Sequence, residues 1–483
     1  MNQATASYDP YAMPYDAVQE PPKSLWQALR KIGPGIILAG SIVGSGELIQ
    51  TTALGAKHGF IFLWLILYSC IIKVFVQIEL GRYAISSGKP TLGALHELPG
   101  PRLRTSWLVW WWFGMLLCTV FQLGGMVGAV GQALNLAFPG VSRALAERAA
   151  SSWPELSQRL LARPEDPWAV VTALAAIGLL LSGGYKRIER LTTFLVVSVT
   201  LITVACVIAL PQTGYPIRVE DLREGFSFII PAAGIAAAFS TFGITGVGAS
   251  ELYSYPYWCL EKGYARFAGR RDKSDDWARR ARGWIRVMYL DAWTSMIVFT
   301  LATVAFYVMG ATVLKRQGLY PDSSQLIATL SKMYVPAFGA WTTIAFLIGA
   351  WAVLFKTLYV ASAGHSRLTA DFFSLAGFVH FDTPTDRARW IRWLCVFFPS
   401  LALALHFGFG NPRTMVQIGG FAQAATLPVI SCATLFLRFR RTDPRLAPSR
   451  VSDVCLCLAA GSITLVAVYA LSDQLLGLIG SSK

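Results

Sequence analysis

The sequence predicts an all-α polytopic membrane protein of about eleven transmembrane helices, arranged as two inverted five-helix repeats with interrupted first and sixth helices. Three observations carry this expectation. Of 483 residues, 54% are hydrophobic and only 14% are charged, against about a quarter in soluble domains. The apolar residues fall into runs of about twenty, the length that crosses a bilayer as a helix. A glycine- and glutamate-containing hexamer in the first run is echoed in the sixth. The mean hydropathy of +0.49 excludes a disordered chain and disfavours a soluble enzyme.

Residues 1–24 are polar and rich in Tyr and Pro, with Asp9, Asp16 and Glu20. No basic start precedes an apolar stretch, so this reads as a disordered cytosolic tail rather than a signal peptide. Spans follow at roughly 32–57, 60–86, 106–137, 167–184, 192–210, 228–259, 287–309, 337–362, 391–408, 413–437 and 452–476. The repeats then cover about 32–210 and 228–437 within a core of 25–440, and residues 441–483 form a linker and the eleventh helix. The third span opens with Trp107, Trp110, Trp111 and Trp112, read as an interfacial aromatic belt.

The net charge of +15 is a matter of topology. With the N-terminus inside, 28 of the 42 Lys and Arg fall on cytoplasmic segments and 12 on the other side. Lys73 and Lys356 lie inside spans. This positive-inside bias puts the N-terminus in the cytoplasm and the C-terminus outside, in an inner or plasma membrane, and leaves no need for a nucleic-acid partner. The eight cysteines sit mostly in apolar runs without metal-ligand spacing and read as buried hydrophobes.

The first span contains Val43-Gly44-Ser45-Gly46-Glu47-Leu48 and the sixth contains Val247-Gly248-Ala249-Ser250-Glu251-Leu252. Four of six positions match, near the middle of each span. A mid-membrane carboxylate is rare, because it costs at least about 2.5 kcal/mol. With five spans per unit the two helices run in opposite directions, which is the pattern of an inverted repeat with a midplane site. Small residues let each helix unwind there and line a wet site with backbone groups.

On these residues the chain resembles the Nramp family of transporters. The matching stretches are Gly33-Pro34-Gly35, Gly55-Ala56-Lys57-His58-Gly59-Phe60 with Trp64, Gly243-Ile244 through Leu252-Tyr253, Asp291, Ala361-Ser362-Ala363-Gly364 and Leu427-Pro428. The resemblance covers about 25–440 and implies a LeuT-type fold. Where the family carries Asp-Pro-Gly-Asn in the first interruption, this chain has Gly44, Ser45, Gly46 and Glu47. Where it carries Met-Pro-His in the sixth, this chain has Gly248, Ala249 and Ser250, followed by Glu251. The family's soft thioether and its histidine are missing from those positions. A thioether favours soft over hard cations, so the expected preference is hard.

Glu47 and Glu251 are the expected metal-binding pair. With Gly44, Ser45, Gly46, Gly248, Ala249, Ser250, Gln423 and Thr426 they form the expected substrate site, suited to an oxygen-seeking Mg- or Mn-like dication. Lys356, in the eighth span, and Asp291, which opens the seventh, join the two glutamates as groups of coupling or charge balance. Lys73 and Glu79 read as snorkelling or locally paired, and His406 as a packed histidine. The expected function is secondary active transport of a small inorganic ion by alternating access, driven by H⁺ or Na⁺, without a cofactor, in a monomeric unit surrounded by membrane lipid. A divalent metal leads. A small anion such as bicarbonate, favoured by Lys356, and an amino acid or zwitterion are the alternatives. No phosphate-binding loop or nucleophile–base motif argues for a pump or an enzyme.

Overall fold

The computed structural model describes residues 17–35, 42–182, 185–321 and 325–480, with only the backbone for 185–193, Pro384 and 473–480. Its long helices are α1 (Leu63–Ser87), α2 (Trp107–Ala137), α3 (Asp166–Ser182), α4 (Tyr185–Ala209), α5 (Ile235–Ile244), α6 (Ala249–Lys262), α7 (Asp275–Met309), α8 (Trp341–Leu375), α9 (Pro384–Phe409), α10 (Pro412–Arg440) and α11 (Arg450–Gly480). Among the described residues the one extended pairing is the two-residue ladder Arg102–Leu103 with Thr105–Ser106.

The helix ends follow their sequences. Ser274 opens α7 by accepting from the Trp277 N–H at 3.1 Å. Thr383 and Asp386 form a capping box at the start of α9, with proline in the first turn. Gly88 and Gly263 close α1 and α6 in the left-handed conformation that side chains disfavour.

Nine helices among the described residues are long and apolar enough to cross a membrane, or ten with α3. The count of eleven is therefore not reached on the described residues. The expected first span includes residues 36–41, which lie outside them. At 17 residues α3 passes only together with Pro154–Ala162, to which it is bent by 86°.

Burial separates a core from a periphery. The apolar windows of α1, α2 and α7 are 72% buried, while those of α4, α9 and α11 are 33% buried. The outer helices carry exposed residues such as Phe194, Leu201, Phe397, Leu458 and Leu465, as a lipid-facing surface requires. The tryptophan run divides the same way. Trp107 and Trp111 are exposed, but Trp112 is fully buried against Tyr253 and Phe372 and is no part of a belt.

Inside, small residues let helices touch. A Cβ on Gly243 of α5 would lie 2.6 Å from the Ala424 nitrogen of α10, and one on Gly420 of α10 would lie 2.7 Å from the Ser240 carbonyl oxygen. This backbone-to-backbone packing is how membrane helices associate without a hydrophobic drive between them.

The end of the expected disordered tail is held in place. Gln19 donates its N–H to the Phe267 carbonyl at 3.0 Å and accepts from the Trp284 indole at 3.0 Å. The disordered reading of 1–24 therefore fails for this stretch, because backbone and indole partners meet it on α7 and the short helix Tyr264–Ala268. Residues 1–16 lie outside the described ones.

Candidate functional site

The sixth span, Ala232–Lys262, is interrupted in its middle. Helix α5 ends at Ile244, Thr245 turns extended, Gly246 takes φ +65°, and α6 begins after an extended Gly248. Positive φ at Gly246 is a conformation other L residues rarely adopt. In the first span, residues 43–44 form a turn and Gly46–Thr51 form a π-helix before Thr52–His58 continues as α-helix. The widened turn is satisfied by hydroxyls, with Thr51 donating to the Gly46 carbonyl at 3.0 Å and Thr52 to the Glu47 carbonyl at 3.2 Å. Such π-turns are frequent at functional sites.

Glu47 is fully buried and joins the two irregular segments. Its carboxylate accepts from the N–H groups of Gly44 at 3.3 Å and Gly246 at 3.1 Å, and from the Thr303 hydroxyl of α7 at 3.5 Å. It thus ties N–H donors that the two irregular segments would otherwise leave unpaired. Lys73 of α1 meets the same region from the other side. It is fully buried, donates to the carbonyls of Phe242 and, at 2.8 Å, Thr245, and lies over the Phe242 ring. Ser69, one turn earlier, donates to the same carbonyls at 3.4 and 3.2 Å. Of the two expectations for Lys73, snorkelling or local pairing, snorkelling fails, and the pairing is with backbone carbonyls at the interruption. Glu79 is locally paired as expected, with Arg82 at 2.8 Å.

Ser45 and Ser250 are linked through amides. Gln122 of α2 donates to the Ser45 hydroxyl at 3.0 Å, Gln423 of α10 donates to the Gln122 carbonyl oxygen at 2.9 Å, and the Ser250 N–H donates to the Gln423 oxygen at 3.0 Å. These groups and Glu251 line a cavity of about 40 Å³ together with Gly46, Thr119, Met126, Ser254, Thr357 and His365. That volume holds roughly three waters. Two polar atoms of its walls, Ser250 Oγ and His365 Nδ1, are buried without a hydrogen-bond partner among the described residues. Gly248 makes room for the lining, because a Cβ there would lie 2.5 Å from a Glu251 carboxylate oxygen and 2.6 Å from the Gln423 oxygen.

The structure thus brings Ser45, Gly46, Ser250, Glu251 and Gln423 to one cavity. It places Gly44, Glu47, Gly248 and Ala249 in the irregular segments and the first residue of α6 beside it. Thr426 is elsewhere, accepting from the Trp111 indole at 3.1 Å and donating to the Ala422 carbonyl at 2.8 Å. Lys356 is buried on α8 but is not among the lining residues, although its neighbour Thr357 is. Asp291 accepts from the N–H groups of Gly33, at 2.9 Å, and Gly35, and so fastens the start of the first span to α7. His365 escaped the sequence reading. Its signal was its place directly after Ala361-Ser362-Ala363-Gly364 in a membrane span. His406 is packed as expected, against Asp166 at 3.1 Å. Among the described residues no group of three His, Cys, Asp or Glu is close enough to cage a metal.

Two irregular segments meeting at a small cavity that holds a carboxylate, hydroxyls and amides, inside a bundle of apolar helices, fit what the comparisons show, an integral membrane transporter of the LeuT-type fold rather than an enzyme. The chain belongs to the Nramp-like family (natural resistance-associated macrophage protein-like), whose model matches residues 35–473. It is 22% identical over 432 residues to an uncharacterized protein of Pasteurella multocida, covering 87% of this chain and 88% of that one. Its fold is similar to a point mutant of the Eremococcus coleocola manganese transporter, with a TM-score of 0.64, 17% identity and coverage of 96% and 91%. It is also similar to MhsT in complex with L-phenylalanine, with a TM-score of 0.58, 17% identity and coverage of 94% and 99%.

Proposed function

We propose that this protein is a secondary transporter of a hard divalent cation of the Mg²⁺ or Mn²⁺ type, working by alternating access around the cavity at Glu251. The observation that carries the reading is the cavity's lining, which among the described residues holds one carboxylate, an imidazole, hydroxyls and amides beside the Met126 thioether, and no lysine or arginine. Such a lining attracts a cation and gives an anion no fixed positive partner. Family membership and the likeness to a manganese transporter support the same class of cargo.

A hard cation also suits the sparse donor set. Mg²⁺ keeps several waters and takes only one or two carboxylates, and the cavity has room for a partly hydrated ion. Glu251 would be the charged ligand, with Ser45, Ser250 and Gln423 completing the shell directly or through water. Glu47 does not line the cavity, so it acts one step back and holds the interruptions together. An amino acid needs more room than roughly three waters, which speaks against a zwitterion. Uptake is driven by a proton or sodium gradient on this reading.

The test is uptake by proteoliposomes of Mn²⁺, Mg²⁺, Ca²⁺, Cd²⁺ and bicarbonate in parallel, with internal pH recorded and external Na⁺ varied. Uptake of Mg²⁺ or Mn²⁺ that exceeds Cd²⁺ supports the reading. Bicarbonate uptake without cation uptake overturns it.

A further inference from the structure

A second cavity lies far from this site, between the segment Glu20–Leu25 and the polar end of α7. Its volume by the same measure is about 560 Å³. Arg279, Arg282 and Arg286 line one wall, spaced so that they share a face of α7, and Lys23 lies opposite. Glu20 is the acidic residue of the lining, and it is spent on Arg279 in a two-armed pair at 2.5 and 3.0 Å. Among the described residues no carboxylate pairs with Arg282, Arg286 or Lys23.

The groove is built into the fold. Gly283, between the arginines, lets Pro21 lie directly against α7, where a Cβ would collide with the proline ring. The backbone contacts of Gln19 fix the same segment. The floor is apolar, with Val287 and Leu290. From Val287 to Met309 the helix carries one charged residue, Asp291, so the groove sits where the chain passes from polar to apolar. Beside it Leu25 is 65% and Trp26 76% exposed, on a five-residue helix that buries none of its residues. An exposed Leu-Trp pair next to Arg282 and Arg286, which no carboxylate among the described residues neutralises, has the makeup of a membrane-interface anchor.

We propose that this groove binds the phosphate headgroup of an anionic phospholipid, with Arg282, Arg286 and Lys23 on the phosphate and the acyl chains along Leu25, Trp26 and Leu290. Basic pockets at the membrane-facing ends of helices select anionic lipids in this way. The exposed apolar pair separates a lipid from free phosphate, which has nothing to place there.

The experiment uses full-length, delipidated protein in neutral detergent. Dioctanoyl phosphatidylglycerol, dioctanoyl phosphatidylcholine and inorganic phosphate are titrated separately, and binding is read by native mass spectrometry and indole fluorescence. Phosphatidylglycerol should bind at least about tenfold more tightly than phosphatidylcholine. The double change Arg282→Gln and Arg286→Gln should weaken it about thirtyfold, as expected for two basic side chains at an anionic surface. Removing the same charge elsewhere, with Arg143→Gln and Arg148→Gln, should leave it unchanged. Lys23→Gln, on the peripheral segment, repeats the test with less risk to folding and should weaken binding severalfold. Equal binding of the two lipids, an unchanged double variant, or phosphate binding as tight as the lipid would each overturn the proposal.

Discussion

Gly246 donates its backbone N–H to the Glu47 carboxylate at 3.1 Å, tying the interruption of the sixth span to the first span across 199 residues of sequence. The same carboxylate holds the Gly44 N–H at 3.3 Å. One side chain therefore fixes the relative position of the two segments on which the cavity depends.

Glu47→Ala should lower stability by about 3 kcal/mol, because two buried N–H groups lose their acceptor. Glu47→Gln keeps one acceptor oxygen and should cost less than half as much. Thermal unfolding in detergent measures both. A silent Glu47→Ala would show that the carboxylate joins nothing.

Lys73→Met takes the ammonium from the carbonyls of Phe242 and Thr245, leaving the Ser69 hydroxyl as their donor. The expected loss is about 2 kcal/mol, that of hydrogen bonds to a charged donor. Lys73→Arg should not restore it, since the bulkier fork cannot enter the same buried space. Unfolding midpoints of the two variants decide this, and a stable Lys73→Met would contradict the assigned role.

These two residues show how far the sequence could be read. The paired hexamers marked Glu47 and Glu251 alike, and both fall in or beside irregular backbone. Their different places were not legible: Glu47, inside the π-turn Gly46–Thr51, is not among the residues that line the cavity, whereas Glu251 is. Lys73 was visible only as a charge in a span. Periodicity places it on a face of α1, but not against the last turn of α5. Gln423 and Ser45 were legible as polar residues near the site, whereas their link through Gln122 needs three helices in space. The helices themselves were the easiest part, because the length of an apolar run sets a span directly.

Gly248→Ala should cut transport at least tenfold while the protein still folds. The added methyl would occupy space within 2.5 Å of a Glu251 oxygen and 2.6 Å of the Gln423 oxygen. Displacing a ligand by about an ångström is costly to function and mild for stability, about 1–3 kcal/mol. Uptake and unfolding should be measured on the same preparation. Normal uptake would remove Glu251 and Gln423 from the site.

Asp443, in the loop before α11, carries a pH-dependent contribution. Hydrogen bonds from the Arg445 side chain hold its carboxyl below the ordinary range, with Arg271 adding at 3.1 Å. A depressed folded-state value means that the contribution is complete above the unfolded carboxylate pKa of about 3.9 and fades as pH falls through the lower folded value. Asp443→Asn should therefore be less stable than wild type at neutral pH, with the gap closing below about pH 4. A gap that stays constant down to that pH would show that the charge plays no part.

The central claim is that Glu251 is the charged ligand of a transported hard cation, and Mn²⁺ and Mg²⁺ uptake in wild type, Glu251→Gln and Glu251→Asp proteoliposomes tests it most directly. Matched protein incorporation and unfolding midpoints control for folding. The account predicts saturable uptake of at least one of the two ions by wild type, its loss in Glu251→Gln, and partial retention in Glu251→Asp, which keeps the charge. Undiminished uptake by Glu251→Gln, or no cation uptake by a folded wild type that moves an anion instead, would contradict it.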